Sequence, residues 1–138
     1  MIWTGLTKYR EVGLLILRVG IGLAFVGHGW PKLIGGYHAW NVYGSAMANL
    51  GVHFAYPFWG FLAGVAEFGG GILLAAGLLF RPACIILLFD MFVALLFHLN
   101  SSNPMLSGYG VYSHPLEDGI LFLSLLLIGP GRYSLDRK

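Results

Sequence analysis

Apolar positions run along this chain in four long blocks, divided by stretches rich in glycine, proline, asparagine and aromatic residues. The blocks predict helices over about 12–34, 56–79, 82–99 and 114–129. A helix rises ~1.5 Å per residue, so about 20 residues cross ~30 Å of hydrocarbon. The first two blocks meet that length easily. The third and fourth need flanking residues to complete a crossing. Phe80, Arg81 and Pro82 leave almost no connection between the second and third blocks, which predicts a tight antiparallel hairpin with Pro82 in a first helical turn. Gly129, Pro130 and Gly131 end the fourth block.

Between the first two blocks lie Tyr37, Trp40, Tyr43 and Phe54. Tyr and Trp favour the membrane interface, so residues 35–55 are expected on the bilayer surface, helical around Trp40 to Leu50. Residues 100–113 hold Ser, Asn, Gly and Pro and read as a loop.

Composition supports lipid as the solvent. The 138 residues suffice for one domain, yet 57% are hydrophobic, only 10% are charged, and the mean hydropathy is +0.75. A water-soluble chain of this size could not hide so much apolar surface. The 21 glycines suit close helix packing in a membrane. All-α, an integral membrane four-helix bundle, is therefore the expected fold. The net charge of +2 comes without a basic run, which excludes nucleic acid as a partner and leaves the lipid bilayer as the principal one. With four crossings, Lys8, Arg10, Arg81, Arg132, Arg137 and Lys138 fall on one side, six of the eight basic residues. That bias places the N- and C-termini in the cytoplasm. Cys84 is the single cysteine, so the chain cannot run a dithiol–disulfide cycle by itself, and Cys84 reads as packing.

Ionisable residues inside the blocks are the candidates for chemistry, because each costs roughly 2.5–3.5 kcal/mol at a helix centre. Arg18, Gly22, Phe25, Gly29 and Lys32 step by four and three along one stripe of the first helix. Gly60, Gly64, Glu67 and Gly71 form a similar stripe on the second. Counting the rise from the expected helix starts puts Arg18 about 9 Å and Asp90 about 12 Å above the cytoplasmic edge, with Glu67 near the middle. An Arg18–Glu67–Asp90 cluster is the expectation, either a structural ion-pair lock or a proton-handling layer. Two carboxylates against one arginine leave surplus negative charge, which a proton held on one acid would resolve.

A second layer is expected nearer the outer surface. His28 and His98 both come about 24 Å above the edge, with Glu117 and Asp118 opening the fourth helix at comparable height and Lys32 and His114 above. Pro31 cannot donate to the Gly27 carbonyl and should kink or end the first helix, presenting His28 and Lys32 at a mouth. Imidazole, ammonium and carboxylate with apolar walls suit an apolar molecule with a carbonyl-bearing head, such as a quinone. Two histidines and a carboxylate could also ligate a metal, but no compact ligand motif is present and no metal site is assigned. His38 and His53 read as solvated.

The block LILRVGIGLAFVGHGWPKLIGG resembles the first-helix pattern of the DoxX family, AEFGGGILLAAGLLFRPA its second-helix block, and HPLEDGILFLSLLLIGPGRYSLD its C-terminal block. The resemblance implies a small four-helix protein of the bacterial cytoplasmic (inner) membrane with an oxidoreductase role, one branch being similar to a subunit of thiosulfate:quinone oxidoreductase. The positions carried over are Arg18, His28, Lys32, Glu67, Glu117, Arg132, Tyr133 and Asp136. Together these readings imply a quinone-linked oxidoreductase or redox-complex subunit. In it, His28, Glu67, His98 and Glu117 would be catalytic, and Arg18, Lys32 and Asp90 would hold the cofactor. Electrons would come from a bound substrate or a soluble or membrane redox partner. A proton-coupled carrier or efflux protein and a non-catalytic anchor for soluble redox enzymes stay open as alternatives. The glycine faces also permit a homo-oligomer.

Overall fold

The computed structural model describes residues 4–136. Long apolar runs without a water-facing side can satisfy their backbone in lipid only as helices, and helices are what form. A 3-10 segment, Thr4–Tyr9, leads into α1, Arg10–Ile34. Then follow α2 (Gly36–Gly44), a 3-10 segment (Ser45–Leu50), α3 (Tyr56–Ala76), α4 (Phe80–Asn100), α5 (Pro104–Ser107) and α6 (Tyr109–Ile128). Four stretches are long and apolar enough to cross a membrane: Gly5–Ile34, Tyr56–Ala76, Phe80–Asn100 and Pro104–Ile128.

Polarity is distributed as lipid requires. Ile16, Leu23, Phe89, Ile120 and Leu127 are exposed around the outside, while Arg18 and Glu67 are buried. The core between the helices is Phe25, Leu74, Phe80, Cys84, Leu87, Phe122 and Leu125. α1 packs on α3, α3 on α4, and α4 on α6. Across the remaining gap Phe25 of α1 meets Phe122 of α6 edge-on, ring centres 4.8 Å apart.

Glycines set the closest crossings. A methyl at Gly22 would press on Ala75 at 2.8 Å, and one at Gly29 would enter the Phe68 backbone. Gly44 lies against the Tyr56 carbonyl and Gly60 against the Trp40 carbonyl. These last two contacts seat α2 firmly on α3.

Several boundaries differ from the sequence expectation. Pro31 does not end α1, which runs one further turn to Ile34. The segment after it is helical from Gly36, where a positive φ of 74° makes the corner. The hairpin turn comes earlier than expected: α3 ends at Ala76, Gly77 (φ 65°) and Leu79 (φ 45°) turn the chain, and α4 starts at Phe80. α6 starts at Tyr109 and carries Pro115 inside it. Spanning helices tolerate an internal proline where neighbouring groups satisfy the freed carbonyl, so Pro115 is a poor start signal here.

The tail after α6 folds back under the bundle. Asp136 accepts from the Leu79 and Phe80 amides at 2.9 and 2.8 Å, capping the start of α4. Glu11 accepts from the Arg132 amide at 2.8 Å. Leu135 and Asp136 donate to the Ala76 and Gly77 carbonyls.

Candidate functional site

Arg18 belongs to this tail clamp and not to a charge cluster. It is 2% exposed, donates to the Tyr133 carbonyl, and fills the niche left by the missing side chain of Gly77. The expected Arg18–Glu67–Asp90 cluster therefore does not form. The reason lies in how α1 is registered on α3. Gly22 packs against Gly71 and Ala75 and Gly29 against Phe68, and this register of α1 on α3 sets Arg18 level with the hairpin at Gly77. Glu67 lies ten residues further along α3, about 15 Å away along the axis.

The acids meet a different cation. Lys32 Nζ lies 2.7 Å from Glu67 Oε1, with Glu67 only 3% exposed. Lys32 starts on α1 and passes over Gly64, whose Cβ position would sit 3.2 Å from the Lys32 Cβ. Its ammonium is also 5.1 Å from the centre of the Tyr43 ring on α2. Trp40 donates to the Lys32 carbonyl at 2.8 Å, holding that last turn of α1 in place.

Asp90 completes the group. Gly70 of α3 lies against Leu87 of α4, so three residues on in each antiparallel strand of the hairpin Glu67 and Asp90 stand level. Their carboxyl groups are within hydrogen-bonding reach. Glu67 Oε2 and Asp90 Oδ2 are buried and lack a donor among the described residues. Two ionised carboxylates can only accept, so their contact becomes a bond only when a proton sits between them. One ammonium, two carboxyls and one shared proton would also balance the charge.

The fourth helix contributes at the same level. Phe25 and Phe122 fix the register of α1 against α6, which brings His28 level with Asp118. Asp118 lies one turn from Phe122 and two from Leu125, both buried, so it shares the inward face of α6. The charged and titratable groups around it are His28, His114, Glu117 and Glu67. Glu117, the expected partner, is exposed on the neighbouring face. At a helix start both were candidates. With α6 beginning earlier, the two acids sit mid-helix, where a 100° step separates their directions.

The two expected layers are thus one: Lys32, Glu67, Asp90 and Asp118, one from each spanning helix. His28 is exposed and meets the Phe25 ring edge-on at 5.9 Å. The expected trio His28, His98 and Glu117 is not brought together.

His98 instead faces another space. A groove of about 950 Å³ runs along the α3–α4 seam, roofed by α2, the following 3-10 segment and Leu106 of α5. Lys32, Asp90 and His98 are its polar lining; Trp59, Phe89 and Phe97 supply aromatic wall. Val65, Ile85, Ile86 and Phe89 on its flanks are exposed on the lipid-facing surface, so it opens sideways towards the bilayer. His98 Nδ1 donates to the Leu106 carbonyl at 2.9 Å, which leaves Nε2 as the free ring nitrogen. No group of three or more His, Cys, Asp or Glu suited to a metal occurs among the described residues. His38 and His53 are exposed, and Cys84 is buried in the core.

The family model described as DoxX matches residues 13–99. The chain belongs to the DoxX family. The matched DoxX region includes Lys32, Glu67, Asp90 and His98 and stops before Asp118. This DoxX chain is also 34% identical over 131 residues to inner membrane protein YqjF of Escherichia coli (strain K12), an alignment covering 94% of each chain. No solved structure matches. With its four spanning helices, this DoxX protein is a multi-pass protein of the inner membrane.

Proposed function

We propose that this DoxX protein is the quinone-binding membrane subunit of a redox system. The observation that carries this is the lateral groove: apolar and aromatic, open to the bilayer, and lined at depth by Asp90 and Lys32 and nearer the roof by His98. Its volume lies within the ~300–1,000 Å³ of small-molecule sites. A ligand that travels in lipid reaches it without crossing water. The free Nε2 of His98 can accept from a quinol hydroxyl, and the Asp90–Glu67 pair can give a proton to a quinone oxygen. Lys32 neutralises Glu67 and so keeps the layer from carrying a large negative charge. Reduction of a quinone adds electrons and protons in equal number. The electrons come from a redox partner protein, since a single cysteine gives the chain no dithiol of its own.

Trp59 lines the groove and serves as the reporter. A short-chain ubiquinone analogue should quench its emission in detergent-solubilised protein, and Trp59→Phe should remove that quenching. Asp90→Asn and His98→Ala should each weaken binding about tenfold, the worth of one hydrogen bond of ~1–1.5 kcal/mol. His28→Asn and Glu117→Gln should leave it unchanged. Absence of quenching, or equal affinity in all four variants, would remove the proposal.

One observation favours a second function. Asp90 is the single carboxylate lining an otherwise apolar and aromatic groove, a setting that also suits a lipophilic cation carried in exchange for a proton. Tetraphenylphosphonium binding that depends on Asp90, with no response to the quinone analogue, would decide for the carrier.

A further inference from the structure

Two of the layer's four members belong to the groove. Lys32 and Asp90 line it, and Glu67 stands directly behind them. Asp118, on α6, is not among the residues that line the groove, and Glu67 is the buried acid that acts on it. It nevertheless faces inward, level with Glu67 and Asp90, while its neighbour Glu117 turns out. A half-buried carboxyl on a spanning helix is costly and needs a reason.

Its surroundings supply one. Towards the interior, the charged group acting on Asp118 is Glu67 of α3; from α1 it is His28; on its own helix they are His114 and Glu117. His28 and Glu117 are exposed beside Asp118, and the exposed His114 lies one turn nearer the end of the bundle that carries α2 and α5. Asp118 thus stands between a set of accessible titratable groups and the buried Glu67. On the other side, Glu67 is within hydrogen-bonding reach of Asp90, and Asp90 faces the groove. At the opposite end of the bundle no such sequence exists among the described residues. There the buried charged side chain among the described residues is Arg18, which is closed off by Gly77 and the Tyr133 carbonyl and stands about 15 Å below Glu67.

We propose that Asp118 is a proton-relay residue, passing protons from the loop end of the bundle, past His28 and His114, to Glu67 and on to Asp90 at the groove. Bridging water completes the hop from Asp118 to Glu67. A proton enters at the loop-end surface, Asp118 accepts it and gives it up to the Glu67–Asp90 pair, and that pair gives one proton to the groove ligand. This deepens the quinone proposal, on which its purpose rests, by fixing the side from which protons come.

The test reads proton access without any turnover. Dicyclohexylcarbodiimide is an apolar reagent that modifies a carboxyl group in its protonated form and can reach Asp90 through the lipid-facing groove. The full-length protein is placed in sealed vesicles whose orientation is scored by protease clipping of a C-terminal tag, and the pH is changed on one side at a time. Labelling of the Glu67–Asp90 pair, read by mass spectrometry, should rise severalfold when the loop-end side is acidified and stay constant when the terminal side is. Asp118→Asn should abolish that response, Asp118→Glu should restore it, and Glu117→Gln should leave it intact. Labelling that follows the pH of the terminal side, that is unaffected by Asp118→Asn, or that never occurs on the pair would each overturn the relay. The Trp59 quenching assay on the same variants separates the two proposals. Quenching retained with the pH response absent refutes the relay alone, while a normal pH response without quenching refutes the quinone.

Discussion

Lys32 and Glu67 carry the plainest consequence at the scale of single residues. Glu67 is almost fully enclosed, and the ammonium 2.7 Å away is what makes its charge tolerable. Removing one partner of such a pair costs about 3–5 kcal/mol, because it strands the other. The Lys32 side chain keeps 23% of its surface exposed, so some solvent screening remains. Lys32→Met should therefore lose about 2–3 kcal/mol in denaturant unfolding of the detergent-solubilised protein. Lys32→Met combined with Glu67→Gln should recover most of that loss. Additive losses would mean that the pair is not the interaction that matters. The sequence marked Glu67 and Asp90 as costly residues but matched them to Arg18 and set Lys32 in a separate outer layer. Type and face were legible, because both follow from hydropathy and the helical step. Partner choice was not, since it depends on where α1 lies along its own axis relative to the hairpin.

At the scale of elements, the glycines divide into two groups that composition cannot tell apart. Gly60 and Gly44 let α2 lie against α3 with backbone touching backbone, and Gly22 and Gly29 do the same for α1 and α3. Gly13, Gly20 and Gly27 face open space. Alanine at Gly60 would have to displace the Trp40 carbonyl, and with it the roof of the groove. Gly60→Ala should destabilise the protein by about 1–3 kcal/mol and weaken quinone quenching of Trp59. Gly20→Ala should be neutral or stabilising by up to about 1 kcal/mol, since alanine is the better helix former. Equal effects at the two sites would show that α2 is not seated as described. The element list itself was mostly readable, because lipid forces long apolar runs into helices. The starts of α2 and α6 were misplaced for different reasons. α2 begins directly at the Gly36 corner, and α6 continues through Pro115, which would signal a break in water.

At the scale of the whole molecule, the tail clamp and the basic residues act on the same end. Arg18 stands level with the Gly77 turn, and Arg81 and Arg132 lie beside it, so this end is more basic than the helix count alone suggested. The other end offers Lys32, which is neutralised by Glu67. The charge bias predicts that the end bearing both termini is cytoplasmic. Single cysteines placed at position 132 and in the 100–103 stretch, on a Cys84→Ala background, test this with a membrane-impermeant maleimide added to intact cells. The expected outcome is labelling in 100–103 only; labelling at 132 would reverse the topology, and with it the compartment from which the Asp118 relay draws protons.

The sequence by itself determined the solvent, the helical class, the number of crossings and the residues too costly to be there without a purpose. Those properties are sums over local composition and short-range periodicity, and they need no knowledge of distant neighbours. Tertiary structure alone decided which costly residues meet. Sliding one helix along its axis by a few residues moves its side chains by a whole turn against its neighbours. The register fixed at Gly22 and Gly29 sent Arg18 to the tail and gave Lys32 to Glu67. The earlier start of α6 placed Glu117 and Asp118 mid-helix, and its rotation about its own axis turned Asp118 inward in place of Glu117.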